Sequence, residues 1–443
     1  MMKINKKGRL KMKKNLWKRV TTLALAGALA LGTLSGCGGT AAPSGSTAPS
    51  GSGSAAPQES SPAPTKQYVI GIAEAQANDE VTTRRAYLEN FIAPTYNVKF
   101  IFSETLKDDA ATKAFIENCV DSGADAIIDF KSMSGQMARL CEENGLVYTM
   151  NGDYANAPEL LEGDYPMFAG AVGANNVQVG SLFGSWLEEK ASADGSEGFL
   201  VSTSLASSGN AQHVETAKAI LTGLQEKYGL TYEKTIDELV ASSETTNVAN
   251  DKGLTITLYP GSPNKETWLP GVSSLLQSGK YGMFLSSGQT YNQSANVVNE
   301  VEQNFGIDIK VASVGALGTT LTTAFNTKDP SGNPSVDLVT VKSVSALTAC
   351  LFAVTYNALN GGIDTVSRVD GKPAHFKFNM IGVTSPEQLA EMEGWDDRDA
   401  GNWIAGKKVV DSMLTTVNPG LTADDINAFM ESLSFETIKE LMA

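Results

Sequence analysis

The sequence predicts an α/β protein built as two doubly wound parallel-sheet lobes, and three observations carry that reading. From Gln67 onward, short β-rich apolar runs alternate with segments whose apolar residues recur at helical spacing. The alternation restarts near residue 167, so the pattern occurs twice. The 377 residues from Gln67 to Ala443 are too many for one compact core and suit two. Continuous apolar strands separated by amphipathic helices fit a parallel sheet covered on both faces, because neither face of such a sheet meets water.

In chain order, "YVIGIA" (68–73), "NVKFIF" (97–102), "DAIIDF" (125–130) and "GLVYTM" (145–150) read as the strands of the first half. Before the third of these, Ala111, Phe115 and Cys119 recur every four residues beside Ile116 and Val120, and Gly123 supplies a helix stop. The second half opens with "MFAGAV" (167–172) and continues with "GFLVS" (198–202), "LTITLY" (254–259), "GMFLSS" (282–287) and "IKVASV" (309–314). Helices are expected near 176–190, 209–228, 267–279 and 290–305. "VDLVTV" (336–341) precedes the helix "SALTACLFAVTYNALNGG", stopped by Gly361 and Gly362, and then comes one further strand, "HFKFNMI" (375–381). Residues 385–443 add short helices, among them "TADDINAFMESL" with Thr422 as its N-cap.

The N-terminal region has a different character. Residues 1–19 carry nine Lys or Arg and no acid, and Val20 to Leu34 is mostly Ala, Leu, Gly and Thr. A cationic stretch followed by an apolar one has the form of an export signal, and about 15 apolar residues fall short of the roughly 20 that span a bilayer core. Leu34-Ser35-Gly36-Cys37 looks like a bacterial lipobox, which makes 1–36 a lipoprotein signal peptide and Cys37 the acylated new N-terminus. Residues 37–66 hold almost nothing apolar larger than Ala, so they cannot offset the entropy of ordering. They read as a flexible Gly/Ser/Pro tether with a reach of roughly 30 Å. The expected location is extracytoplasmic, lipid-anchored to the outer face of the bacterial cytoplasmic membrane.

Composition narrows the chemistry. The net charge is −15, and −24 once the nine signal-peptide cations are gone, which disfavours nucleic acid as a partner. Of Cys119, Cys141 and Cys350 at least one is unpaired; all three read as buried free thiols, with a Cys119–Cys141 disulfide as the alternative. No Cys-x-x-Cys or His/Cys ligand spacing occurs, and His213 and His375 are the only histidines available for nucleophilic triads. The run "DPSGNPSVD" (329–337) has a faint look of a calcium loop but lacks the expected Gly and terminal Glu. No catalysis, cofactor or metal is expected.

Taken together, the chain resembles the type I periplasmic binding protein family, the ribose- and galactose-binding relatives that serve ABC importers, over about residues 67–385. The resemblance rests on the order of elements and on three phrases: "DSGADAII" (121–128), "GANNVQVGSLFGSWL" (173–187) and "VDLVTVKSVSALTACLFAVTYNALNGG" (336–362). It implies a three-segment hinge near Ala171, Ser343 and Lys372 with a ligand cleft between the lobes. The N-terminal lobe would be 67–170 plus 343–372, and the C-terminal lobe 171–342 plus 373–443, including a helical extension. It also implies an extracytoplasmic solute-binding lipoprotein that captures a small polar solute, a monosaccharide or short oligosaccharide, and delivers it to an ABC permease with its ATPase. A monomer is expected. The alternatives are a ligand-sensing surface receptor of the same fold, signalling to a chemoreceptor or kinase, and a surface glycosidase.

Open α/β sheets bind ligands beyond the carboxyl ends of their strands. Those positions nominate Glu74, Gln76, Lys131, Asn151 and Asp153 in the first lobe, and Asn175, Asn210, His213, Trp268, Gln289 and Lys342 across the cleft. Amides and carboxylates suit vicinal hydroxyls, and an aromatic face suits the C–H surface of a sugar. By resemblance, Asn151 stands where sugar-binding relatives often have a ligand-gripping Asp, and His213 roughly where they have an Arg. "AEAQANDE" (73–80) lacks the aromatic pair common in those relatives and "ASVGALG" (312–318) lacks their acidic residue, which argues against ribose or galactose as such. Each candidate also has a structural reading. Asn175 and Asn210 suit helix caps, Trp268 suits packing, and His213 suits a satisfied surface site. Lys131 and Lys342 suit pairing with carboxylates, and Glu74 and Asp153 suit the hinge or a lobe surface.

Overall fold

The computed structural model describes residues 66–131, 135–154, 157–204, 211–261, 263, 265–392 and 394–443. The signal peptide, Cys37, nearly all of the tether and Asn210 therefore lie outside the described residues. No described helix is long and apolar enough to cross a membrane.

Two sheets organise the chain. The first contains β1 (Tyr68–Glu74), β2 (Val98–Thr105), β3 (Ala126–Asp129), β4 (Val147–Asn151), β5 (Phe168–Ala174) and β14 (His375–Phe378). Its order is β14-β5-β4-β3-β1-β2 and every pair is parallel. The second contains β6 (Phe199–Thr203), β7 (Thr246–Asn247), β8 (Ile256–Pro260), β9 (Met283–Ser286), β10 (Lys310–Ala316), β11 (Leu338–Lys342) and β15 (Ile381–Val383). Its order is β15-β11-β10-β9-β6-β8-β7, and only the two edge strands run antiparallel. A short ribbon, β12 (Arg368–Val369) with β13 (Lys372–Pro373), stands apart. Both sheets are doubly wound, and the strand order reverses between β1 and β3 in one and between β6 and β9 in the other.

Among the described residues, the helices of six residues or more are α1 (Asp79–Tyr87), α2 (Asp109–Asp121), α3 (Gly135–Asn144), α4 (Asn176–Lys190), α5 (Ala211–Tyr228), α6 (Trp268–Leu276) and α7 (Tyr291–Phe305). They continue with α8 (Thr319–Asn326), α9 (Val344–Asn357), α10 (Pro386–Glu391), α11 (Lys407–Ser412), α12 (Ala423–Glu431) and α13 (Phe435–Met442). Local sequence explains their ends. Asp108 starts α2 by accepting from Ala111 N at 2.8 Å, and Gly123 at φ 76° ends its turn. Phe115, Ile116 and Cys119 are its buried face. On β1, Gly71 lets that face approach: a Cβ there would lie 2.7 Å from Cys119 Sγ. Thr422 caps α12 in a reciprocal box with Asp425.

The passages between sheets differ from the sequence expectation. β5 lies wholly in the first sheet, so the chain leaves it at Asn175 and not near Ala171. The chain also passes between sheets at Ser343, because β11 belongs to the second sheet while α9 packs on β3, β4 and β5. The third passage is at Asn379–Met380, not near Lys372, and the run expected as one strand is two, in different sheets. The Gln178 side chain supplies the reason. Its Nε2 donates to Met380 O at 2.9 Å and its Oε1 accepts from Met380 N at 3.0 Å, taking the place of a ladder partner between β14 and β15.

The C-terminal extension is also placed differently. Its start, α10, packs on the second lobe, against α8; α11 and α12 return to the first and cover α9, with α12 along the edge strand β14. That cover explains why α9 is apolar all round: Val344 to Thr355 and Asn357 are buried, including both Ser345 and Thr348. Its buried polar groups are satisfied, Thr355 Oγ1 by Leu351 O and Thr149 Oγ1, and Asn357 Nδ2 by Met413 O at 2.8 Å. Cys119, Cys141 and Cys350 are free and buried, and the Cys119–Cys141 disulfide is not formed.

Candidate ligand-binding cleft

The carboxyl edges of the two sheets meet across the hinge. Lys342 ends β11, and its Nζ lies 2.9 Å from Oε2 of Glu80 on α1 of the first lobe. Beside it, Thr319 Oγ1 of the second lobe lies 3.5 Å from Asp79 Oδ2. Asn78 fixes where α1 begins, accepting from Val81 N at 3.0 Å, so Glu80 and Arg84 share one face of the helix at i,i+4 spacing.

Arg84 is the centre of the first lobe's switch point. Its Nε donates to Glu74 Oε1 at 2.8 Å, Nη2 reaches Glu80 Oε1 at 3.5 Å, and its Cζ sits 3.6 Å from the ring centroid of Phe130, just after β3. Glu74, Arg84, Glu80 and Lys342 thus alternate in sign from the end of β1 to the opposite lobe. Burial pushes the Glu74 carboxyl up to about 7 against the pull of Arg84. Burial also opposes ionisation of Glu80, but Lys342 and Arg84 outweigh it and hold that carboxyl below its ordinary range. Arg84 is 3% exposed, and its Nη1 has no hydrogen-bond partner.

The second lobe mirrors this arrangement with neutral groups. His213 on α5 places Nδ1 2.8 Å from Ser204 Oγ, and its ring packs against Gly288 after β9, where a Cβ would lie 3.0 Å from Cε1. Burial, reinforced by the charge of Lys342, lowers the His213 pKa to about 4, which makes the ring neutral at pH 7 and a poor base for Ser204. Ser287, next to Gly288, is 1% exposed and its Oγ has no partner. Among the described residues, each switch point therefore carries a buried polar atom without a hydrogen-bond partner, Arg84 Nη1 on one side and Ser287 Oγ on the other. A buried polar atom without a partner costs roughly 1–3 kcal/mol.

The expected residues divide. Glu74, His213 and Lys342 belong to this constellation. Asn151 is half-buried at the end of β4. Gln76 and Gln289 are exposed at the rim, bonded to Asn78 Nδ2 and Tyr291 Oη. Lys131 is held by α2, its Nζ donating to Thr112 Oγ1 at 2.6 Å. Asp153 lies 3.7 Å from His375 on β14, and β14 is four strands along the sheet from β1 and Glu74. Asn175 is a hinge residue: it caps α4 and its Nδ2 donates to Asn379 Oδ1 at 3.0 Å. Trp268 is a correction, since it is 1% exposed with Nε1 bonded to Ser202 Oγ, and its face is covered by core packing instead of being open to a sugar. A groove of about 510 Å³ between α4 and α5 is lined by Gly180, Gly184, Ala219 and Gly223 among others and contains none of the expected residues. Sequence reasoning missed Arg84, Glu80 and Phe130. The Glu-x-x-x-Arg spacing on the helix after the first strand was the available signal.

No protein-family model matches the sequence, and a search of curated proteins finds no similar one. Solved structures do share the fold. An ABC transporter solute-binding protein from Bacillus halodurans C-125 with bound myo-inositol matches at TM-score 0.52 and 16% identity, over 74% of this chain and 97% of its own. One from Burkholderia graminis C4D1M in complex with D-arabinose matches at TM-score 0.51 and 13% identity, over 72% and 95%. A twin-arginine translocation pathway signal protein from Burkholderia phytofirmans matches at TM-score 0.52 and 12% identity, over 74% and 93%. The two doubly wound sheets are thus a fold shared with these ABC transporter solute-binding proteins.

Proposed function

We propose that this protein is the extracytoplasmic solute-binding lipoprotein of an ABC importer. Anchored through Cys37, it captures a small polar solute, a monosaccharide or a similar polyol, between its two lobes and presents the closed form to a permease with its ATPase. The observation that carries the reading is the pair of unsatisfied buried donors, Arg84 Nη1 and Ser287 Oγ, one at each switch point. Myo-inositol and D-arabinose in the fold neighbours support the same ligand class. Arg84 stacked on Phe130 suits a ring with hydroxyls at its edge and C–H bonds on its face. The lobes supply binding energy, and no bond is broken.

A thermal-shift screen against monosaccharides, inositols, short oligosaccharides, nucleosides and amino acids tests this. A solute that binds only the folded state adds about 4 kcal/mol at a thousandfold excess over Kd. The expected result is a clear rise in Tm for one sugar or polyol that is afterwards recovered unchanged. A hit confined to amino acids or nucleosides removes the sugar assignment, and conversion of the hit removes the binding-only reading.

A further inference from the structure

At the amino-terminal ends of β10 and β11, away from the cleft, lies a cluster of carboxylates that solute capture does not use. Glu302 in the last turn of α7, Asp308 just before β10 and Asp329 between α8 and β11 each offer an oxygen within 4.8 Å of the others. Glu302 is 2% exposed; its Oε1 accepts from Ile309 N at 2.9 Å, and its Oε2 has no partner. Asp329 is pre-set by its own turn, with Oδ1 accepting from Asn333 N at 2.9 Å. Lys310 Nζ lies 3.0 Å from Asp308 Oδ2. A fourth carboxylate, Asp337, accepts from Val311 N and adds to the same negative field. Burial, aided by the charges of Asp329, Asp308 and Asp337, raises the Glu302 carboxyl to about 7 despite the Ile309 amide. One lysine among four carboxylates leaves the cluster short of positive charge.

We propose that Glu302, Asp308 and Asp329 form a divalent-cation site, with calcium preferred, that ties together the loops feeding β10 and β11. The donors are all hard oxygens, and one is a buried carboxylate oxygen that no protein donor satisfies. Three protein carboxylates completed by water suit calcium, which takes 6–8 oxygens at roughly 2.3–2.6 Å, better than magnesium, which is usually held by one or two carboxylates. The run 329–337 lacks the terminal Glu of a calcium loop, and the fold brings Glu302 from α7 beside it.

The test is calorimetric titration of CaCl2 into the chelator-stripped wild-type protein, Glu302→Gln and Asp308→Asn, with melting curves in EDTA and in about 10 mM CaCl2, above the roughly 0.1–1 mM range of extracellular calcium modules. The expected result is one saturable site and a calcium-dependent rise in Tm in the wild type, both lost in Asp308→Asn and Glu302→Gln, with MgCl2 giving a smaller rise. Asp308 is exposed, so its variant remains informative if Glu302→Gln fails to fold. Absence of a calcium-specific response in the wild type, or a response that Asp308→Asn retains in full, overturns the site. Both readouts are independent of whether a sugar binds in the cleft.

Discussion

Arg84 shows how one side chain ties together the first lobe's switch point. It is buried with Glu74, so replacing it by Met leaves a carboxylate with no cation, a loss of about 3–5 kcal/mol. Adding Glu74→Gln to that variant is expected to restore a large part of the loss in urea unfolding; equal instability of the single and double variants contradicts the pairing. His213 makes a pH prediction. Its pKa in the folded protein is about 4 and near 6.5 in the unfolded chain, so between these values the unfolded chain binds a proton that the folded protein refuses. Its contribution to stability is therefore complete above about pH 6.5 and is lost as pH falls toward 4. His213→Asn should flatten that part of the wild-type decline, measured as urea stability at several pH values; parallel curves contradict it. Glu74, His213 and Lys342 were legible in the sequence because strand ends can be counted. Arg84 was not, because in "DEVTTRRAY" it reads as part of a solvated helix face, and only the fold shows that this face meets Phe130 and the opposite lobe.

At the scale of elements, the segment after β15 acts on the hinge. Asp396 accepts from Ser343 Oγ at 2.7 Å, Ser345 N at 3.0 Å, Ser345 Oγ and Ile404 N at 3.1 Å, which pins the start of α9 where the chain passes between sheets. Arg398 reaches Asp79 on α1 at 3.1 Å, and Tyr87 Oη donates to Ala405 O at 2.7 Å. Asp396→Ala strands several buried donors, each worth about 1–3 kcal/mol. A large drop in Tm is expected, and a change within experimental error contradicts the clamp. The strands and the longer helices were readable because each has its own period and its start or stop signals, as with Thr422 before α12 and Gly123 after α2. "HFKFNMI" was misread because an apolar run carries no mark of which sheet each half joins; Gln178, some 200 residues earlier, breaks it. The lobe that receives α11 and α12 was hidden for the same reason. Amphipathic helices declare a buried face, not the surface that buries it.

At the scale of the whole molecule, two doubly wound sheets bring their switch points together through passages at Asn175, Ser343 and Asn379–Met380. Closure then depends on what lies between the lobes, because a solute that touches both favours the closed state by its differential contacts. The Lys342–Glu80 pair contributes little by itself, about 0–1 kcal/mol for a partly exposed ion pair. The most direct test is calorimetric titration of the solute identified by thermal shift into the wild-type protein, Glu80→Gln and Ser287→Ala. The account predicts one solute per protein and at least about tenfold weaker binding in each variant, one from either lobe, as expected for hydrogen bonds worth 1.5 kcal/mol or so. Binding that survives both substitutions unchanged would contradict it.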